Sequence, residues 1–142
     1  MKTYGGFLIS QIGRLQGRVF EKMLRETGVD AFNGAQGRIL YVLWENEKLT
    51  ITDISRLTSI SKTALTSMLD RMETGGLLKR MPDKHNRRQI FIRITEKARA
   101  YRSEYKRVSD RMNRLFYKGF DKTAIAVFEE KLKKILGNLE DQ

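Results

Sequence analysis

Two helical periods set three residues apart, followed at once by a glycine pair and two alternating segments, leave this chain few folds to choose from. Thr50-Ile51-Thr52-Asp53 starts the first helix. The Thr50 hydroxyl can accept a backbone N–H, and Asp53 places negative charge at the positive end of the helix dipole. Ile51, Ile54 and Leu57 share one side of it. Thr58-Ser59-Ile60 is the break. Ser61 then caps a longer helix over Ser61–Glu73, whose Leu65, Met68, Leu69 and Met72 fall at i, i+3, i+4 and i+7. Gly75-Gly76 ends it, because a glycine just past the last turn enters the left-handed region at little cost. Leu77–Met81 and Gln89–Ile94 read as strands, with Ile90, Ile92 and Ile94 on one face. Pro82 to Arg88, which holds the only proline, makes the extended polar tip of the hairpin.

The flanks are helical. Leu8, Ile12, Leu15, Val19 and Met23, widened by Phe20 and Leu24, form an amphipathic stripe from about residue 6 to 26. Gly28 and Asn33-Gly34 interrupt it. Ile39, Leu40, Val42, Leu43 and Trp44 then suggest a short, largely buried helix from about 35 to 46, with Trp44 in the core. Past the hairpin, Thr95 caps a helix running to about Tyr117 along Tyr101, Tyr105, Val108, Met112, Leu115 and Phe116. After Gly119, Asp121 caps a last helix in which Ile125, Phe128, Leu132, Ile135 and Leu139 make an a/d-type seam. That seam packs on another helix, of this chain or of a second copy. The fold class is mainly α with a small β-hairpin.

The charge is uneven. The 142 residues carry 28 Lys and Arg against 17 Asp and Glu, a net +11. Between Lys79 and Arg107 stand 11 basic residues and only Asp83, Glu96 and Glu104, so 11 − 3 gives +8 in that stretch. A generic solvated surface does not concentrate its excess this way; a polyanion partner explains it. A membrane surface fits poorly, because the basic residues cluster on a hairpin and a helix start instead of along an amphipathic face. No apolar run approaches the roughly 20 residues that span a bilayer, and the N-terminus lacks a signal-peptide h-region. A soluble, cytoplasmic protein is expected. The absence of cysteine removes disulfides, thiolate metal sites and thiol redox switches. His85 is the only histidine and falls in the hairpin loop without nearby partners, so no metal site and no cofactor are expected. With no nucleophile–base set and no phosphate-cradling glycine loop, an enzyme is not expected either.

Helix, turn, helix and basic hairpin together make a winged helix-turn-helix. The second helix has the apolar face needed to lock onto its neighbours. Ser61, Lys62, Thr63, Thr66 and Ser67 fall on its start and its other faces, short or flexible enough to meet phosphates and base edges in a major groove. Residues 76–95, Gly-Leu-Leu-Lys-Arg-Met-Pro-Asp-Lys-His-Asn-Arg-Arg-Gln-Ile-Phe-Ile-Arg-Ile-Thr, resemble the wing of the MarR family of transcriptional regulators. Asp70-Arg71-Met72-Glu73 resembles the family's recognition-helix ending, and Gln36, Leu40 and Leu43 resemble its second helix. The similarity is strongest over about residues 35–100.

The resemblance implies a homodimer bound to double-stranded DNA. Residues 1–34 and 101–142 would supply dimerisation helices, and residues 35–100 the DNA-binding lobe. A pseudo-palindromic operator, a repressor role and modulation by a small-molecule effector belong to the same implication. Arg88, with Arg87, would be the wing arginine in the minor groove, where narrow grooves concentrate negative potential. Lys84 and Asn86 complete the wing set, and Lys79 and Arg80 are expected to contact phosphates. Two positions depart from the family pattern. Asn86 replaces the usual wing Asp, so a charge pairing to a wing arginine becomes at best a hydrogen bond. Ser59 replaces a frequent glycine, so the turn is expected to differ locally. A non-specific or architectural nucleic-acid binder on the same fold stays open as the alternative.

Overall fold

Helix α1 (Gly5–Glu26) obeys its stripe only at its end: Met23 and Leu24 are buried, whereas Phe7, Leu8, Ile9, Ile12 and Leu15 lie exposed. The computed structural model describes residues 1–86 and 88–142. Asn33, which the sequence suggests only as a break, is the N-cap of α2 (Gly34–Glu45). Its Oδ1 accepts from the Gln36 N–H at 2.8 Å, and Gln36 Oε1 accepts from the Asn33 N–H at 3.0 Å. The Glu21 carboxylate of α1 accepts from the Gly34 N–H, setting an anion on the positive end of α2. A strand that periodicity does not reveal, β1 (Leu49–Thr50), precedes α3 (Ile51–Thr58). Two residues are too few to alternate. Thr50 then closes the expected box with Asp53, each backbone N–H meeting the other's side-chain oxygen at 3.1 Å.

Helix α4 (Lys62–Thr74) begins at Ser61, whose Oγ accepts from the Ala64 N–H at 3.2 Å. It ends at Gly75 and Gly76. Gly76 sits at φ +77°, the Leu77 N–H donates to the Met72 carbonyl at 2.9 Å, and the Gly76 N–H donates to the Glu73 carbonyl at 3.0 Å. This is a Schellman ending, which turns the chain into the sheet. Strands β2 (Leu78–Pro82) and β3 (Ile90–Ile94) pair antiparallel with Arg80 opposite Ile92 and Pro82 opposite Ile90. β1 joins the far side of β3, giving the order β1-β3-β2. Pro82 lacks an N–H and is tolerated because β2 is an edge strand.

The helix expected from Thr95 to Tyr117 is two: α5 (Glu96–Arg99) and α6 (Arg102–Phe116). The Ala98 carbonyl, which a continuous helix would commit to residue 102, instead accepts from the Trp44 indole N–H at 3.1 Å and from the Tyr101 N–H at 3.2 Å. An inserted side-chain donor is a recognised cause of such a break. Helix α7 (Lys122–Glu140) is capped by Asp121 as expected.

Contacts divide the chain into two compact units, Met1–Ser109 and Asp110–Gln142, the division falling within α6. The first unit holds the core: Ile39, Leu40 and Leu43 of α2, Ile54 of α3, Leu65, Leu69 and Met72 of α4, Leu77, Leu78 and Ile92 around the sheet, each 0–2% exposed. Each such side chain contributes roughly 1.5–3 kcal/mol of burial. Ile90, expected to share the buried face of Ile92 and Ile94, is exposed near the hairpin tip. In the second unit Phe116, Phe120 and Phe128 gather round the Tyr117 ring, whose hydroxyl donates to Glu129 at 2.6 Å. No residue of α7 is fully buried.

Candidate nucleic-acid interface

The buried face of α4 leaves Lys62, Thr63, Thr66, Ser67 and Arg71 exposed. Three of the hydroxyls expected to face a ligand already hold hydrogen bonds. Ser61 spends its acceptor on the cap, Thr66 Oγ1 donates to the Lys62 carbonyl at 3.0 Å, and Ser67 Oγ accepts from Arg71 Nη2 at 2.9 Å. Each keeps unused hydrogen-bonding capacity, since a hydroxyl is one donor and two acceptor positions. Among the described residues the side chains of Lys62 and Thr63 have no such partner, so they are the freest probes on the helix. Arg71 is a basic residue of the same face that periodicity had not singled out as a site. Its signal was the i, i+4 spacing from Ser67.

The preceding turn carries a backbone signature. Ser59 is the one non-glycine residue with positive φ among those described, at φ 58° and ψ 21°. The structure therefore demands at Ser59 the conformation that glycine adopts most cheaply, and it achieves it with a serine. Ser55 Oγ donates to the Ile60 carbonyl at 2.7 Å and Thr58 Oγ1 to the Ile54 carbonyl at 2.6 Å, pinning both sides of the bend.

In the hairpin loop, Lys84, His85, Asn86 and Arg88 are exposed; Arg87 lies outside the described residues. Side-chain-to-backbone bonds shape the loop. Asp83 Oδ1 accepts from the His85 N–H at 2.9 Å, and Asn86 Oδ1 accepts from the Arg88 N–H at 3.1 Å. Both are Asx turns, in which a short polar side chain bonds the backbone two residues on. The amide of Asn86 thus orients the Arg88 backbone, a job that needs no carboxylate. The Asp83 N–H donates to the Gln89 carbonyl and the Gln89 N–H to the Asn86 carbonyl, both at 3.0 Å, closing the tip.

Lys79 and Arg80 differ although they are neighbours. Lys79 is exposed. Arg80 is half-buried: its Nη2 lies 2.6 Å from Asp70 Oδ1 and donates to the Thr66 carbonyl at 3.4 Å. Its backbone N–H donates to Glu73 Oε2 at 3.0 Å. The sheet's other end is fastened by Thr95, whose Oγ1 donates to the Gly76 carbonyl at 2.6 Å, and by Lys97, whose Nζ donates to the Gly75 carbonyl at 3.0 Å. Lys97 thereby puts a cation on the negative end of α4.

Residues 32–90 match the MarR family. Over that stretch the chain resembles this family of transcriptional regulators. Over 66 residues it is 33% identical to the HTH-type transcriptional regulator TtmR of Methylorubrum extorquens, a match covering 46% of this chain and 34% of that one. The chain thus spans about a third of that relative's length. Its fold is shared with a cysteine-to-serine mutant of MarR from Escherichia coli, solved with operator DNA, at TM-score 0.82 and 22% identity, over 96% of this chain and 99% of the other. Reduced AbfR bound to DNA, a protein of Staphylococcus epidermidis, matches at TM-score 0.73 and 28% identity, covering 94% and 90%. The fold is a winged helix-turn-helix with a three-stranded antiparallel sheet. No helix among the described residues is long and apolar enough to cross a membrane.

Proposed function

We propose that this protein is a MarR-family, sequence-specific DNA-binding transcriptional regulator that binds a pseudo-palindromic operator as a homodimer, in the manner of a repressor. The observation that carries the reading is one surface: the polar face of α4, with Lys62 and Thr63 unpartnered among the described residues, fastened through Arg80 to a basic hairpin that presents Lys84 and Arg88. In this reading α4 enters a major groove, with Ser61, Lys62, Thr63, Thr66 and Ser67 meeting base edges and phosphates. Arg88 reaches the flanking minor groove, where one guanidinium can read groove width without base-specific bonds. Lys79 and Lys84 meet phosphates. AbfR and MarR, each solved with DNA, support the assignment by likeness.

The homodimer is supported by apolar faces left open within one copy. Phe7 of α1 is 69% exposed and Leu139 of α7 is 68% exposed, each beside further apolar residues of its own helix. Patches of this kind mark interaction surfaces. Residues 1–34 and 101–142 are assigned to dimerisation, and 35–100 to the DNA-binding lobe.

The test is selection of bound duplexes from a random pool, followed by mass measurement of the complex. A palindromic consensus with half-sites about one helical turn apart, bound by two copies, is expected. Discrimination of that site from random duplex should reach about three orders of magnitude or more. Affinity that ignores sequence and falls steeply with salt would replace the regulator by a non-specific binder.

A further inference from the structure

We propose that Arg80 is a positioning residue that holds the hairpin against α4, with Asp70 and Glu73 as its two anchors, instead of a phosphate contact in its own right. The inference rests on the regulator reading for its DNA-binding arm and on the free protein alone for the other.

The geometry is reciprocal. β2 is the edge of the sheet, so the backbone groups facing away from β3 have no strand to pair with. Glu73 of α4 takes one of them, the Arg80 N–H. From the same residue the side chain reaches back to α4, to the Asp70 carboxylate and the Thr66 carbonyl. One residue of the hairpin therefore holds three points spread over two turns of α4. The side chain is 27% exposed and its Nε is buried without a hydrogen-bond partner among the described residues. A surface arginine free to move would turn that nitrogen to water; here the orientation is held against its cost. An isolated exposed ion pair contributes little, but this one is tied to a backbone bond and a helix carbonyl, so its atoms cannot rearrange independently.

The consequence for binding is geometric. Two DNA-contacting elements act together only if their spacing matches the duplex, and a loose hairpin adds the entropy of ordering it to every binding event. Asp70 is an unlikely-looking neighbour for DNA, since its side chain is 59% exposed on a helix meant to approach phosphates. Its position is explained if it is there for Arg80.

Asp70→Ala separates the explanations by sign. It removes a negative charge and introduces the best helix former, so if Asp70 acts on DNA only by charge, operator affinity rises. If Asp70 positions the hairpin, affinity falls, by about tenfold for a coupling of typical size. Arg80→Ala should fall by a similar factor with an unchanged salt slope. A slope reduced by about 0.9 would show a lost phosphate contact instead. The double variant should lose no more than either single one. In the free protein, hydrogen exchange of the Arg80 and Met81 amides should quicken in Asp70→Ala while the amides of α2 keep their protection. Tighter operator binding by Asp70→Ala, a reduced slope for Arg80→Ala, or unchanged exchange would each overturn the proposal. Wild-type binding to the selected duplex, measured alongside, reports on the regulator reading separately.

Discussion

Gly37 offers the sharpest test of the packing argument, because two opposing effects of known size meet at one atom. It lies in the interior of α2, where glycine costs about 1 kcal/mol relative to alanine, so the naive expectation is that Gly37→Ala stabilises. A Cβ built there would lie 2.6 Å from Cε2 of Tyr105 and 3.4 Å from Cε2 of Phe32. Real contacts of that kind begin well beyond 3 Å, so the Tyr105 ring must move. It has little room: its centroid is 5.3 Å from that of Trp44, 5.4 Å from Phe20 and 6.2 Å from both Phe32 and Tyr41. Overpacking a fixed core typically costs 1–3 kcal/mol. The clash should therefore exceed the helix gain, leaving net destabilisation of about 1 kcal/mol, read as a lower urea midpoint at unchanged slope and fixed protein concentration. Tyr105→Leu in the same chain should remove the penalty, so that adding Gly37→Ala to it becomes neutral or stabilising. A higher midpoint for Gly37→Ala alone would refute the claim that this glycine exists to admit the ring.

Three further outcomes are expected. Arg88→Ala should weaken operator binding, measured by titration, by at least about fivefold, the low end for a well-placed groove contact, whereas Lys2→Ala should barely change it; equal effects would remove Arg88 from the wing role. Ser59→Gly should raise stability by up to about 1 kcal/mol in chemical denaturation, because a left-handed residue with a Cβ costs 1–2 kcal/mol and glycine's looser unfolded chain returns part of that; a loss would mean the serine side chain holds the turn in a way its backbone angles do not reveal. The Asp53 carboxyl is held below its ordinary range by the Thr50 backbone N–H and hydroxyl, with Arg56 adding to it. A carboxyl with a lowered folded-state pKa stabilises above its unfolded value and loses that contribution as pH falls through the folded one. Asp53→Asn should therefore lower Tm at neutral pH and flatten the acid limb below about pH 4, and parallel acid limbs would deny the capping box its role.

How much of this the sequence revealed depends on whether a feature is local. The caps at Thr50, Ser61, Thr95 and Asp121 are legible because each needs only a side chain and a backbone N–H three residues on. The left-handed glycine and the alternation of Ile92 and Ile94 are local too. What escaped reading was tertiary. β1 is a strand only because β3 lies beside it, with Leu49 opposite Ile92. The break at Ala100–Tyr101 exists because an indole 54 residues away claims the Ala98 carbonyl. Gly37 carries no periodic signal, since its reason is a ring on another helix. The candidate site divides the same way. Exposure of Lys62, Thr63, Lys84 and Arg88 follows from pattern; the difference between Lys79 and Arg80 does not.

That last difference bears on how basic residues in such chains are counted. Charge clustering from Lys79 to Arg107 points to a polyanion, yet several members of the cluster are engaged within the protein. Arg80 sits on Asp70, Arg93 on Glu47 at 2.5 Å, Arg102 on Glu45 at 3.3 Å, and Lys97 on the end of α4. The exposed pairs among these are weak and screened by salt, so they reduce the field only modestly, but they fix where the charges stand. In the proposed role, a positive surface assembled this way attracts any duplex at long range, while among the described residues the unpaired side chains of Lys62 and Thr63 at the start of α4 and those exposed at the hairpin tip are free to adapt to a particular one. Long-range attraction and local choice are thus carried, in that role, by different residues. Removing a paired arginine should change geometry first, and removing an unpaired one should change the salt slope first.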